Sequence, residues 1–142
     1  MVSRPSFPTY DMALIAGSSY AASIYQAGSI GSPYAVVGPG ANPGLGGNYC
    51  GSGAFGAESC LLSVASLNSM LCDTSSVCTP NLTRLLNNGV QPGDSGGPFY
   101  GRSAITVGAL PRGSIVGGNT ADVFMNSWNR LKSAYPNLAI VW

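Results

Sequence analysis

Apolar residues come in short runs along this chain: Met12–Ile15, Ala22–Tyr25, Ala35–Val37, Leu61–Leu67, Ala104–Leu110 and Ser114–Val116, each bounded by Gly, Pro, Ser or Asn. Runs of this length between turn residues predict strands rather than helices. The stretch Gly38–Gly53 is dense in glycine and reads as loop. One segment has a different period. In DVFMNSWNRLKSAY, Phe124, Trp128, Leu131 and Tyr135 fall on one face of a helix. Asp122 suits its N-cap or first turn, Arg130 and Lys132 its later turns, and Pro136 its end. That helix, and the apolar tail Leu138–Trp142, read as packing elements without chemistry. The pattern as a whole predicts an all-β, antiparallel domain with a C-terminal helix laid on it, without internal repeat or linker.

A length of 142 residues fits one domain or part of one. Only 8% of residues are charged and the net charge is +1, so neither a basic field for nucleic acid nor an acidic tail is present. No uninterrupted apolar run reaches the ~18 residues of a membrane span. The cysteines are Cys50, Cys60, Cys72 and Cys78; without a C-x-x-C pair or any histidine they make no zinc site, and no metal or cofactor is expected. They read as two local disulfides, Cys50–Cys60 and Cys72–Cys78, in a secreted protein. The bland alternative is four buried free thiols, and the sequence does not choose among the three possible connectivities. The start, MVSRPSFPTYDMALI, has no apolar h-region and no small-residue cleavage site, so it is not a signal peptide. A disulfide-bearing chain of this kind is expected to continue upstream.

The stretch that carries chemistry is GVQPGDSGGPFY, residues 89–100. A nucleophilic serine needs an exposed hydroxyl on a sharp turn, backbone N–H groups aimed at the developing oxyanion, and a base. Gly93-Asp94-Ser95-Gly96-Gly97-Pro98 meets the first two: Gly93 permits dihedrals that let its N–H and that of Ser95 converge, Asp94 can anchor the loop, and Gly96 and Gly97 leave room for substrate. This hexapeptide resembles the nucleophile motif of chymotrypsin-like serine endopeptidases.

Three further stretches extend the resemblance over most of the chain. Asp11-Met12-Ala13-Leu14-Ile15 is similar to the family segment whose aspartate orients the catalytic histidine. Cys50-Gly51-Ser52-Gly53 through Cys60 is similar to a disulfide-bridged hairpin of the bacterial secreted members, the streptogrisin and α-lytic type. Val90-Gln91-Pro92-Gly93-Asp94-Ser95 matches the same members. The resemblance implies the second antiparallel β-barrel of a two-barrel fold. Residues 1–30 would be the end of the first barrel and the connection, and residues 31–142 the C-terminal barrel with its helix. It implies Ser95 as nucleophile, Gly93 and Ser95 as oxyanion hole, and Asp11 as triad acid. The substrate pocket is expected between Gly89, Val90, Gln91 and Pro92 on one side and Leu110, Pro111, Arg112 and Gly113, with Gly117–Gly118, on the other.

Departures qualify this. Where the bacterial members have an arginine that pairs with the acid before the serine, this chain has Gly51, so Asp94 is expected to use Arg84 or Arg102 or to lack a charged partner. The family cysteine six residues before the serine is Gly89 here, and no cysteine follows Ser95. The histidine is missing altogether. The expectation is therefore a bacterial, extracellular serine endopeptidase acting on polypeptides, with its histidine on a missing N-terminal barrel and the 142-residue chain inactive alone. The alternative is a non-catalytic, protease-like binding or structural domain.

Overall fold

The computed structural model describes residues 8–13, 17–19, 21–25, 33–86, 89–103, 105 and 107–142. Among the described residues, eight strands and one short helix follow in order: β1 (Ser23–Tyr25), β2 (Pro33–Ala35), β3 (Gly46–Gly53), β4 (Ala57–Cys72), β5 (Cys78–Leu86), β6 (Pro98–Ser103), β7 (Gly108–Gly118), β8 (Asp122–Ser127) and α1 (Trp128–Ala134). Strands β3 to β8 close into an antiparallel barrel in the order β3-β4-β5-β8-β7-β6, the seam being the pairing of β3 with β6. β1 and β2 form a separate two-stranded sheet. Among the described residues no helix is long and apolar enough to cross a membrane.

Alternation along the strands separates two cores. Leu62, Val64, Leu85, Phe99, Ile115, Val123 and Met125 fill the barrel, with Tyr49 and Val90 packed against them. Complete burial of each of these aliphatic or aromatic side chains stabilises by roughly 1.5–3 kcal/mol. Tyr100, the residue after Phe99, points to the opposite face of β6. There it joins Cys50 and Ala109 in a second cluster covered by Ile24 and Tyr34 of the β1–β2 sheet and by Val36 just beyond β2. The sheet thus packs on the outside of the barrel wall, beside the Cys50–Cys60 disulfide. A second disulfide, Cys72–Cys78, closes the tip of the long β4–β5 hairpin.

The predicted all-β domain with a C-terminal helix is what the chain forms, but several elements differ from the expectation. Within Gly38–Gly53 only the first part is loop; Gly46–Gly53 is β3. Gly46 and Gly47 open it with positive φ, whereas Gly51 and Gly53 allow close approach. A Cβ on Gly51 would stand 3.0 Å from Ile115 Cδ1, and one on Gly53 would overlap Asp94 at 2.2 Å. The expected helix from Asp122 is a strand as far as Ser127. Val123, Phe124, Met125 and Asn126 are all buried, because β8 lies between β5 and β7 and is covered on both faces. Asp122 is accordingly no cap and pairs with Arg84 at 3.5 Å. α1 starts at Trp128 after Ser127 and ends before Pro136. The tail is not a packing element at its end: Trp142 is 68% exposed. Of the run Met12–Ile15, Met12 and Ala13 are in no strand, while Leu14 and Ile15 lie outside the described residues.

Candidate functional site

Residues 91–97 form a compact loop between the β5 and β6 regions, built from its own backbone. The Asp94 N–H donates to Gln91 O (3.1 Å), the Gly97 N–H to Asp94 O (3.0 Å) and the Gly96 N–H to Ile115 O of β7 (2.8 Å); the Ile115 N–H returns to Gly97 O (2.8 Å). The loop is therefore stitched to β7 just after Ser95, through Gly96 and Gly97, and Ser95 itself is exposed. Gly93 has φ +97°, a region that side-chain-bearing residues rarely enter, and the Phe55 ring covers it so closely that a Cβ would meet it at 2.4 Å. Among the described residues, the N–H groups of Gly93 and Ser95 have no acceptor, while those of Asp94, Gly96 and Gly97 are all used.

Asp94 is the keystone. It is 2% exposed. Its Oδ1 accepts the N–H of Phe55 and of Gly56, both at 2.9 Å, and its Oδ2 accepts the N–H of Gln91 at 2.8 Å. Burial alone would raise its carboxyl, but these donors more than reverse that and hold it below the ordinary carboxylate value. The expected pairing with Arg84 or Arg102 does not occur. Arg84 is taken by Asp122, and Arg102 by Glu58, which also accepts a hydrogen bond from the buried Tyr100 hydroxyl. Backbone amides of the β3–β4 turn stand where a cation was expected. The turn reaches the carboxylate because Gly53 and Gly56 lack side chains: a Cβ on Gly56 would lie 2.3 Å from Asp94 Oδ2.

Two cavities meet at Ser95. One, about 720 Å³, is lined by Gly89–Gly93, Ser95, Ile115, Gly117–Thr120 and Val123. The other, about 480 Å³, lies between Ser95 and β1; Ser23–Tyr25, Ser52–Ala54, Gly93–Ser95, Gly97 and Pro98 form its walls. The first contains the expected wall Gly89, Val90, Gln91 and Pro92, and Gly117–Gly118 opposite it. Leu110, Pro111, Arg112 and Gly113 do not line it. They occupy the part of β7 paired with β6 from Phe99 to Gly101, where the Arg112 guanidinium donates to Pro111 O at 3.4 Å. β7 is long, and the residues that reach the cavity are those beyond Ser114, where the pairing with β6 stops. No lining residue of this cavity is charged. Sequence reasoning missed Ile115, Asn119, Thr120 and Val123 here, and missed the β1 wall of the other cavity. The motif spacing carried no signal for either.

Asp11 stands apart from Ser95. It lines neither cavity, and among the described residues its carboxylate has no hydrogen-bond partner. Its backbone oxygen accepts from Asn126 Nδ2 at 3.0 Å, which ties residue 11 to the end of β8. The trio Cys50, Glu58 and Cys60 brings three residues of metal-ligating type together, but both thiols are consumed in the disulfide.

No protein-family model and no curated protein matches the chain. Among solved structures it is similar to the Cellulomonas bogoriensis chymotrypsin at 23% identity and TM-score 0.70, covering 96% of this chain and 72% of that one. It is similar to Thermobifida fusca Protease A at 23% identity and TM-score 0.66, covering 85% of this chain and 61% of that one. A glutamic acid specific serine protease, described as using a histidine triad in substrate binding, matches at 22% identity and TM-score 0.70, over 96% of this chain and 70% of that one. These relatives are too distant in sequence to carry more than architecture, and that architecture is plain: the chain has the chymotrypsin-like β-barrel fold of bacterial serine proteases.

Proposed function

We propose that the chain is the nucleophile-bearing part of a serine endopeptidase, hydrolysing peptide bonds through an acyl-enzyme on Ser95. The observation that carries this reading is the selective use of backbone donors around that serine. Four N–H groups of the loop, of Gln91, Asp94, Gly96 and Gly97, are spent on holding it, and the two left over among the described residues, of Gly93 and Ser95, flank an exposed hydroxyl. Two spare donors beside a nucleophile are what a tetrahedral oxyanion requires. Asp94 supports the loop, and Asp11 orients the base. The 142 residues hold no histidine, so the base comes from polypeptide outside them. The cavity between Ser95 and β1 offers space for it. In this reading residues 1–30 close a first barrel and connect it to the second, residues 31–142. The two disulfides favour an extracellular location.

The test compares the 142-residue chain with a longer form carrying a histidine ahead of Asp11. A fluorophosphonate probe should label Ser95 rapidly in the longer form only, and Ser95→Ala should abolish labelling and peptide turnover. The chain alone should turn over no peptide; turnover by it that Ser95→Ala removes would show that the base is misassigned. A longer form that is never labelled would hand the protein to the other reading, a protease-like binding domain.

The uncharged cavity beside Ser95 supports cleavage after apolar or small residues. Val90, Ile115 and Val123 supply apolar walls, and a lysine, arginine or glutamate side chain would enter without a counter-charge. Arg112 sits too far along β7 to provide one for an acid. Profiling the histidine-bearing form on peptides that differ only at the residue before the scissile bond checks this; a preference for any charged side chain there would reject it.

A further inference from the structure

Two buried polar residues at the end of β8 and in α1 have no part in the site described so far. Asn126 is 1% exposed and Arg130 is 8% exposed. Among the described residues no carboxylate faces the Arg130 guanidinium, and burial pulls its pKa down. A buried cation without a counter-ion is costly, so its other contacts matter. Arg130 Nε donates to Asn126 Oδ1 at 2.8 Å. Its terminal nitrogen Nη2 donates to Thr9 O. Its guanidinium lies 5.0 Å from the centroid of the Tyr10 ring. Asn126 in turn donates through Nδ2 to Asp11 O at 3.0 Å. Three consecutive residues, 9 to 11, are thus gripped by one coupled pair: two by their carbonyls and the middle one by its ring. Residues 8–13 belong to no strand or helix, so no ladder of hydrogen bonds does this work for them.

We infer that Arg130 and Asn126 are positioning residues for Asp11, a clamp that fixes its backbone so that its carboxylate meets the catalytic imidazole; this rests on the reading of Asp11 as the triad acid. The clamp acts entirely through main-chain oxygens and one ring. It leaves the Asp11 carboxylate free to accept from a histidine instead of being neutralised by the arginine. An acid held by a salt bridge to Arg130 would have its charge satisfied before the imidazole arrived.

The histidine-bearing form and the 142-residue chain are both needed for the test. In the 142-residue chain, Arg130→Gln should speed protease cleavage within residues 9–13 by about tenfold or more while the barrel stays uncut. In the histidine-bearing form the same substitution should lower kcat by about 10–100-fold with KM within about twofold, because a misplacement near 1 Å costs on that order. Arg130→Lys, which keeps one donor for Thr9 O, should recover part of the loss. Tyr10→Leu removes the ring without stranding a buried charge. It should lower kcat less, with an unchanged melting temperature, and serves if Arg130→Gln folds poorly. A wild type that is not labelled at Ser95 overturns the protease reading and this inference with it. A labelled wild type whose kcat is unaffected by Arg130→Gln and Tyr10→Leu, or unchanged cleavage within residues 9–13, overturns this inference alone.

Discussion

Asp94→Ala is expected to release the loop that carries Ser95 and to cost about 3–5 kcal/mol of stability, the loss that comes from leaving several backbone donors without their acceptor. Three backbone N–H groups, of Phe55, Gly56 and Gln91, lose their acceptor at once, and each charge-assisted bond is worth roughly 1.5–3 kcal/mol before such losses overlap. That is a large share of the ~5–15 kcal/mol that holds a domain folded. Fluorophosphonate labelling of Ser95 in the histidine-bearing form should fall by about 10²–10³, as when an oxyanion donor is lost. Acid titration provides an independent check. The folded Asp94 carboxyl sits below its unfolded value, so its contribution is fully present above the unfolded pKa, near 4, and is lost as pH falls through the folded pKa. Urea midpoints between pH 6 and pH 2 should therefore decline for the wild type and decline less for Asp94→Ala. Equal slopes would remove Asp94 from the role of keystone.

Asp11→Asn in the histidine-bearing form should lower kcat by about 10⁴ with little change in KM, since an asparagine favours the wrong imidazole tautomer while leaving the geometry intact. The melting temperature should hardly move, because the Asp11 backbone oxygen, not its carboxylate, is what the barrel holds. A rate within about threefold of the wild type, a loss under roughly 0.7 kcal/mol, would show that Asp11 is not the triad acid. The clamp variants should fall between these limits, because they displace the same carboxylate without removing it.

How far the sequence was readable depended on whether the information was local. Gly93-Asp94-Ser95-Gly96-Gly97-Pro98 forms the loop its glycines and proline predict, and Cys50–Cys60 and Cys72–Cys78 pair as near neighbours do. The partner of Asp94 was hidden because amides have no residue type; Phe55 and Gly56 meet it across 39 and 38 residues. β8 was mistaken for a helix because a strand covered on both faces loses its alternation, and the chance spacing of Phe124 and Trp128 filled the gap. β3 was mistaken for loop because glycine reads as a turn signal, whereas here its missing side chain admits Ile115 and Asp94. The cavity beside Ser95 draws on Gly117–Gly118 but not on Leu110–Gly113, because alignment by motif does not reveal where β6 stops pairing with β7.

The barrel seam has a consequence for how the molecule assembles. β3 meets β6 at Tyr49↔Gly101, Cys50↔Tyr100 and Gly51↔Phe99, and β5 waits for β8. A growing chain must therefore expose two unpaired edges until its last strand is made. Neither crosslink helps with that. They span 10 and 6 residues, so each removes only a short loop's entropy, about 2–3 kcal/mol, and both lie within the β3–β5 half. Oxidation can staple that half early, but the long-range closure remains to be reached by diffusion of the chain, the slow step for topologies of high contact order. Across the closed seam the side-chain reinforcement is non-covalent: Tyr100 and Arg102 of β6 both reach Glu58 on β4, bridging over β3.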